Sequence, residues 1–186
     1  MPKKTAIVSI QNVVASASLK QRLDLESIVR VFPGVEYRPE QFPGLVYRLK
    51  KPKTATLIFS SGKMVCTGAR SERMAKRAVM KVAEELKSKG IVLVGKPDIQ
   101  IQNIVASGDL SGRIDLEKTT YALKKTMYEP EQFPGLIYRM DNPKTVMLLF
   151  ASGKFVCTGA RSESQVYEAV KNLQMNLEKA KLISYE

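Results

Sequence analysis

The sequence has no histidine and no tryptophan, and only two of its 186 residues are cysteines. Histidine is the commonest general base and the commonest metal ligand in proteins, so its absence removes the usual basis of both kinds of site. Cys66 and Cys157 lie far apart and in no metal-ligand spacing. The sequence also shows no nucleophile–base pair and no phosphate-binding loop. We therefore expect a protein that is not an enzyme and that uses no metal or other cofactor.

Long apolar runs are absent as well. No run approaches the roughly 20 residues that a membrane helix needs. The first residues, MPKKTAIVSI, contain no apolar core followed by a small-residue cleavage site. With 44% hydrophobic and 26% charged residues, the composition is typical of a soluble, globular, intracellular protein.

Acidic residues are scarce compared with basic ones. The chain has 30 Lys and Arg against 18 Asp and Glu, a formal net charge of +12. Such an excess favours a polyanionic partner, either nucleic acid or an anionic membrane surface, although it also fits a basic protein without such a partner. The excess is uneven, because residues 1–91 hold 18 basic and 7 acidic residues whereas residues 92–186 hold 12 and 11.

The chain is an internal duplication. Three segments return at a constant offset of 91 residues: 10–16 at 101–107, 37–48 at 128–139, and 52–72 at 143–163. In the longest pair sixteen of twenty-one positions are identical. A period this long lies outside the range of about 20–50 residues of solenoid and propeller repeats. We therefore expect two pseudo-symmetric halves of one domain, residues 1–95 and 96–186, a symmetry that suits duplex DNA but is also common without a symmetric ligand.

Hydrophobic periodicity and turn residues predict the same elements in each half. In the first half we expect a short helix from Ser18 to Phe32, a long helix that Ser71 opens and Gly90 ends, and strands at about 5–16, 35–38, 44–50, 54–60 and 63–68. The second half repeats this, with its long helix at about 162–180. The hairpin turns make the strands antiparallel. The prediction is an α+β fold with about ten strands in one sheet and four helices on one face.

The strands are apolar at alternate and at intervening positions. Thr54–Phe59 and Val146–Phe150 carry large apolar groups on both parities, whereas an antiparallel sheet usually has one polar face. If the helices cover one face, the other is an exposed apolar patch, which marks a binding site. Helices or a second sheet could instead cover both faces, or a second copy of the chain could pair with the patch.

The duplicated motifs resemble a known family. QNVVAS and QNIVAS, EQFPGL in both halves, and PKT followed by LIFSSGKMVCTGAR and LLFASGKFVCTGAR are similar to the two signature repeats of the TATA-box-binding proteins. The resemblance extends from about Lys4 to Leu182, and the near-identity of the two stirrup segments favours the archaeal type. It implies a pseudo-two-fold saddle, in which one curved ten-stranded antiparallel sheet has its concave face on DNA and four helices on its convex face.

The resemblance also implies roles for individual residues. Asn12 and Asn103, assisted by Thr67 and Thr158, would contact base edges in the minor groove. The floor of the groove would be lined by Val14, Leu57, Val65, Val105, Leu148 and Val156. The wedges at the two ends of the site would be Phe42 with Phe59 and Phe133 with Phe150. The DNA backbone would be met by Arg48, Ser61, Lys63, Arg139, Ser152 and Lys154.

Each of these residues also has a purely structural interpretation. Phe59 and Phe150 could be ordinary core residues, Phe42 and Phe133 could brace the FPG turns, and the lysines could be turn residues. The asparagines are harder to explain in this way, because an amide in an apolar strand needs hydrogen-bond partners. We interpret Cys66 and Cys157 as small core residues beneath the helices, without redox function.

The implied partners are TATA-box DNA, a B-type transcription initiation factor and the RNA polymerase pre-initiation complex. The resemblance assigns Glu129 and Glu131 to the factor, and it implies a nucleoid-associated protein in the cytoplasm of an archaeon, or a nuclear one in a eukaryote. A homodimer of the free protein stays open. So does the rival interpretation that the chain is a dimeric interaction module that uses the apolar sheet face.

Overall fold

The computed structural model describes residues 5–92 and 96–186. The first repeat contains, in chain order, β1 (Ile7–Ser18), α1 (Leu25–Val31), β2 (Leu45–Lys50), β3 (Lys53–Ile58), β4 (Lys63–Ala69) and α2 (Glu72–Ser88). The second contains β5 (Asp98–Asp109), β6 (Arg113–Ile114), α3 (Leu116–Ala122), β7 (Thr126–Met127), β8 (Leu136–Asp141), β9 (Lys144–Leu149), β10 (Lys154–Ala160), α4 (Glu163–Lys179) and β11 (Ile183–Ser184).

The predicted α+β class is confirmed for the described residues, with four helices and a large open antiparallel sheet. The strand order is β2-β3-β4-β1-β5-β10-β9-β8-β7, and β11 pairs with β6 in a separate two-stranded sheet. The sheet has nine strands and not ten, because the strand expected at 35–38 is reduced to a single bridge between Glu36 and Val46. Its counterpart in the second repeat is the two-residue strand β7, which pairs with β8.

The structure divides into two compact units. One contains Asn12–Gln102, and the other contains the residues up to Gln11 together with Asn103–Glu186. The first residues of β1 therefore group with the second repeat, and the first residues of β5 group with the first. The repeat boundaries at 1–95 and 96–186 stay a prediction about the duplication.

Helix α1 is shorter than the predicted span from Ser18 to Phe32. It begins only at Leu25, after the N-cap residue Asp24, whose side chain accepts a hydrogen bond from the Glu26 backbone N–H. Upstream, the Leu19 N–H donates to the Gly62 carbonyl over 2.9 Å and the Leu23 N–H donates to the Ser60 carbonyl over 2.8 Å. The apolar spacing is helical, but these bonds hold the segment in a bent, non-helical path along the β3–β4 turn, with Lys20 at φ +56°.

The two long helices were predicted to within a residue or two. Ser71 caps α2 by accepting a hydrogen bond from the Met74 N–H, and Ser162 caps α4 by accepting one from the Gln165 N–H. After α2 the chain leaves through Gly90 at φ +74°, the left-handed conformation expected of the glycine that follows a helix. None of the helices among the described residues is long and apolar enough to cross a membrane.

Burial alternates along the strands of the unit that contains Asn12–Gln102. Helix α2 packs on β2, β3 and β4, and the side chains that it covers, including Ile58, Met64 and Cys66, are buried. In the other unit α4 packs on β10, and Cys157 is equally buried. The prediction that both cysteines are core residues on the helix side is confirmed.

Candidate nucleic-acid interface

The sheet face opposite the helices is only partly covered, and we call it the open face of each unit. In the first unit its members from β1, β3 and β4 are half-buried: Asn12, Val14, Ser16, Ala55, Leu57, Val65 and Thr67, followed by Phe59 just beyond β3. In the second unit the matching residues are Asn103, Val105, Ser107, Val146, Leu148, Val156, Thr158 and Phe150.

The strand register brings the apolar residues of each open face into one row. Leu57 lies opposite Val65 on one side and Val46 on the other, and Val65 lies opposite Ser16. The second unit repeats this row with Leu148, Val156, Ile137 and Ser107. Each unit therefore presents a strip of aliphatic surface, as the sequence predicted.

A polar group lies beside the strip, and its orientation is fixed. Asn12 Oδ1 accepts a hydrogen bond from the Gly68 backbone N–H at 2.7 Å, and Asn12 Nδ2 donates to Thr67 Oγ1 at 3.0 Å. Because a backbone N–H can only donate, it holds the amide oxygen inward. The amide nitrogen has two hydrogens, and the bond to Thr67 uses one of them.

Asn103 repeats this geometry in the second unit. Its Oδ1 accepts from the Gly159 N–H at 2.7 Å, and its Nδ2 donates to Thr158 Oγ1 at 3.2 Å. The sequence prediction that these amides need partners is met by a threonine and a glycine in each unit. Their contacts with base edges stay a prediction.

Gly68 and Gly159, which the sequence did not single out, hold the two asparagines in place. Gly68 at φ +100° and Gly159 at φ +97° lie where the pairing of β4 with β1 and of β10 with β5 shifts register. Such a bulge takes the glycine N–H out of the strand ladder, which leaves it free to bond the asparagine. A glycine within a strand pattern is the signal that could have revealed the bulge.

A pair of phenylalanine rings lies at the end of β3 in the first unit and at the end of β9 in the second. The Phe42 and Phe59 centroids are 5.9 Å apart with the ring planes at 71°, and the Phe133 and Phe150 centroids are 6.0 Å apart at 72°. Phe42 is 42% exposed and Phe133 is 45% exposed. The predicted pairs are therefore brought together, each with one ring projecting into solvent, although their role as wedges is not tested by this geometry.

The FPG turns make room for these rings. A Cβ on Gly44 would lie 2.7 Å from Phe42 Cε1 and 3.0 Å from Phe59 Cε1. Gly135 has the same contacts with Phe133 and Phe150, at 2.7 and 3.0 Å. The absence of a side chain at this position therefore permits the edge-to-face packing, which is a favoured arrangement for aromatic pairs.

The basic side chains expected to meet the DNA backbone differ between the repeats. Arg48 is exposed and forms an ion pair with Glu36 at 2.9 Å, an interaction worth about 0–1 kcal/mol for exposed partners. Arg139, the matching residue, has Met127 where Arg48 has Glu36. Ser61 Oγ and Ser152 Oγ accept hydrogen bonds from the N–H groups of Lys63 and Lys154, both at 3.4 Å, so each serine shapes the turn that carries its lysine.

The surroundings of the two lysines also differ. Lys63 lies opposite Ser18 in the strand register, whereas Lys154 lies opposite Asp109. Asp109, Lys154, Phe150, Ser107 and Ile7 help to line a concave pocket of about 640 Å³ on the second unit. Asp109 stands where the first repeat has Ser18, and this difference between matched positions is the signal that could have revealed it.

Glu129 and Glu131, expected to meet a protein partner, are exposed beside the second phenylalanine pair. The Phe133 N–H donates to the Glu129 carbonyl at 2.9 Å, just as the Phe42 N–H donates to the Arg38 carbonyl at 2.9 Å. The backbone of the two turns is thus the same, and the side chain differs in charge at Arg38 and Glu129.

The two cysteines are buried and have raised pKa values. Burial raises the pKa of the Cys157 thiol to about 11 and also raises that of Cys66, so both thiols are protonated at neutral pH and poor nucleophiles. Among the residues that the structure describes, no three His, Cys, Asp or Glu side chains gather in a group that could hold a metal ion.

Comparison with known proteins places these features in context. Residues 7–89 and 98–180 each match the model of the family described as transcription factor TFIID (or TATA-binding protein, TBP). The TATA-box-binding protein of Pyrodictium occultum is 56% identical over 182 residues, which cover 98% of this chain and 90% of the relative. That of Sulfolobus acidocaldarius is 54% identical over 90% of this chain and 85% of the relative. The solved structure of Methanococcus jannaschii TBP superposes with a TM-score of 0.84 at 46% identity, over 93% of this chain and 99% of that one.

Proposed function

We propose that this chain, which belongs to the TATA-binding protein family, is a general transcription initiation factor that binds the TATA box of promoters through the DNA minor groove. The observation that carries the proposal is the fixed amide on each open face. Asn12 and Asn103 each have their oxygen occupied by a glycine N–H, so each presents a donor beside an aliphatic strip.

This arrangement complements A·T base pairs in the minor groove. There A·T and T·A pairs present only acceptors, adenine N3 and thymine O2, whereas a G·C pair adds the guanine N2 amino donor. An amide that can only donate finds acceptors on A·T pairs. On G·C pairs it meets a second donor, and the guanine amine is left against Leu57 or Leu148 without a partner, which costs free energy.

We further propose that the two phenylalanine pairs are wedges that kink the duplex, the mode of minor-groove binding for which the TATA-binding protein itself is the known example. The half-exposed rings of Phe42 and Phe133, each braced by a second ring, are suited to enter a base step. Pyrimidine–purine steps such as TA unstack easily, so deformability would add to the selection made by the asparagines.

The first test compares a TATA-containing duplex with a G·C-substituted duplex of equal length. We expect preferential binding and bending of the TATA duplex, measured by titration and by fluorescence energy transfer between the DNA ends. Phe59→Ala and Phe150→Ala should each reduce the bend more than the affinity, because the wedge is lost while the groove floor stays. Tyr121→Ala, which removes an exposed aromatic ring from α3, serves as the control.

Equal affinity for the two duplexes would exclude minor-groove readout. It would leave the rival function, a dimeric module that pairs its open faces with a second copy. That alternative predicts a dimer that forms without DNA and is unaffected by adding a TATA duplex.

For the later steps of initiation we propose that Glu129 and Glu131 contact the B-type initiation factor and that the resulting complex recruits RNA polymerase on the nucleoid in the cytoplasm. The support is the charge difference between the matched turns, with Arg38 in one and Glu129 in the other. Such a difference in charge would favour binding of the factor to one repeat over the other.

The substitution Glu129→Arg copies the first repeat, and combined with Glu131→Lys it should abolish recruitment of the factor to a preformed DNA complex in a gel-shift assay. The matched control is Glu117→Arg with Glu168→Lys, two exposed positions on α3 and α4. Full recruitment by the Glu129 and Glu131 double variant would contradict the assignment.

A further inference from the structure

A dense cluster of cations lies on the helix side of the first repeat, and we call it the α2 patch. It consists of Lys50, Lys51, Lys53, Arg73, Arg77 and Lys81, all of them exposed. The first five line a concave pocket of about 550 Å³ together with Pro52, Ser71 and Met74, and no carboxylate lines it. None of the ion pairs described for the chain involves a member of the patch.

The second repeat has the same local fold without this charge. The positions that match the α2 patch hold Asp141, Asn142, Lys144, Ser164, Glu168 and Asn172. Six cations are thus replaced by one cation, two anions and three neutral residues. The charge is therefore not a requirement of the hairpin and helix that carry it.

One matched hydrogen bond shows this directly. Lys81 Nζ donates to the Lys51 carbonyl at 2.7 Å, and in the second repeat Asn172 Nδ2 donates to the Asn142 carbonyl at 3.0 Å. The neutral side chain makes the same contact between helix and hairpin. What lysine adds at this position is charge.

The patch faces away from the open face of its unit. Helix α2 packs on the buried side of β2, β3 and β4, whereas Asn12 and Leu57 lie on the opposite side of those strands and β1. A ligand on the patch and a duplex on the open face would therefore not compete for the same atoms.

The composition of the patch points to phosphate groups and not to an acidic protein. Interfaces between proteins have an apolar core enriched in aromatic residues, and none of the exposed large hydrophobic side chains of the described residues lines the pocket of the patch. Contacts to a nucleic-acid backbone need only Lys, Arg and polar groups. Arg73, Arg77 and Lys81 follow one another at four-residue spacing along α2, a row of about 12 Å that can contact several phosphates of one duplex.

We infer that the α2 patch is a second nucleic-acid site, which binds the phosphate backbone of a duplex without sequence preference and independently of the proposed TATA site. With both sites occupied, one molecule holds two DNA segments. The site goes beyond the proposed function, because it needs neither the asparagines nor the phenylalanines.

The test transfers residues between the repeats. Lys51→Asn, Arg73→Ser and Lys81→Asn together give the first repeat the residues of the second and retain the hydrogen bond to residue 51. A fluorescent G·C duplex is titrated into the wild type and this triple variant, with and without a saturating TATA duplex, at increasing salt. Since each phosphate contact contributes about 0.9 to the slope of log affinity against log salt, we expect the slope to fall by up to about 2.7 and the affinity at low salt to fall at least about tenfold.

A matched control removes the same charge elsewhere. Lys118→Gln, Lys124→Gln and Lys171→Gln neutralise three exposed lysines of the second repeat, and they should change affinity for the G·C duplex much less. The reverse transfer combines Asn142→Lys, Ser164→Arg and Asn172→Lys. It should raise the affinity for the G·C duplex and steepen the dependence of that affinity on salt.

Two outcomes would overturn the proposed site. The first is that the Lys51, Arg73 and Lys81 triple variant binds the G·C duplex with the affinity and salt slope of the wild type. The second is that polyglutamate displaces the G·C duplex at a lower concentration of charge than unlabelled DNA does, which would identify an acidic protein as the partner. Failure of the TATA proposal gives a different result. The wild type would then show no preference for the TATA duplex, while the triple variant would still bind the G·C duplex more weakly than the wild type.

Discussion

At the scale of single residues, the orientation of one amide decides what the open face can recognise. A free asparagine offers two donors and an acceptor, and could satisfy either kind of base edge by rotating. Asn12 cannot rotate without breaking the 2.7 Å bond from the Gly68 N–H. The bulge at Gly68 therefore turns an ambivalent side chain into a donor.

Asn12→Asp tests this orientation with almost no change in shape. The carboxylate still accepts the Gly68 N–H, but it has no hydrogen to offer and adds a negative charge near the DNA. We expect a thermal midpoint within a few degrees of the wild type and a loss of TATA affinity of about fivefold to 150-fold, since an unpaired donor or acceptor costs about 1–3 kcal/mol. Asn142→Asp, the same change at an exposed turn, should leave the affinity within about threefold, and a similar loss there would mean that charge alone explains the effect.

The sequence predicted the need for partners at Asn12 and Asn103 but not who the partners are. An amide in an apolar strand must be satisfied, and that follows from the residue type. The donor is the N–H of a glycine fifty-six positions away, and it becomes available only because the pairing of β1 with β4 slips at that glycine. Register shifts depend on tertiary pairing, which the pattern of a single strand does not contain.

At the scale of elements, turns position the chemistry and helices bury the core. The β2 strand begins at Leu45, directly after Gly44, and the space that Gly44 leaves open is occupied by the edges of Phe42 and Phe59. The angle between the two rings is thus a property of the turn as much as of the rings.

Gly44→Ala should disturb the ring pair without unfolding the chain. The added Cβ would lie 2.7 Å from Phe42 Cε1, too close to be tolerated unless the exposed ring moves. We expect a smaller DNA bend with most of the TATA affinity retained, measured by energy transfer between the DNA ends. Gly34→Ala is the matched control, because nothing lies within 4 Å of a Cβ there. An unchanged bend in Gly44→Ala would show that the ring geometry is irrelevant to kinking.

Element boundaries show where periodicity succeeds and where it fails. Helices α2 and α4 have a serine cap, a long apolar stripe and a clear end, and these local signals suffice. The segment before α1 has helical spacing of its leucines, yet Leu19 and Leu23 donate their backbone N–H groups to the β3–β4 turn. Leu19 and Leu23 are buried from a non-helical chain, so the spacing of the leucines could not distinguish it from a helix.

At the scale of the whole molecule, the two repeats share their strand pairing but differ in net charge. The two repeats share their strand register almost residue for residue, as the constant offset of 91 predicted. Net charge is +11 in residues 1–91 and +1 in residues 92–186. The two repeats are therefore alike in the pairing of these strands and strongly different in their net charge.

This asymmetry predicts unequal contributions of matched lysines to the salt dependence of TATA binding. Overall affinity should fall linearly with log salt as phosphate contacts release counterions. Lys63→Gln should reduce the slope by about 0.9, whereas Lys154→Gln should reduce it by less, because Asp109 opposite Lys154 already offsets part of its charge. Asp109→Ser, which copies Ser18, should increase the contribution of Lys154. Equal slopes for the two lysine variants, or an affinity that rises with salt, would contradict this account.

The hydrogen bond that Lys81 and Asn172 make in common has a practical consequence. A cationic side chain in one repeat and a neutral one in the other donate to the matching hairpin carbonyl. The charge of the helix surface can therefore be changed at this position while the fold is retained. Each repeat thus shows which residues the fold of the other repeat accepts. Variants with graded surface charge can be designed by exchanging residues between matched positions of the two repeats.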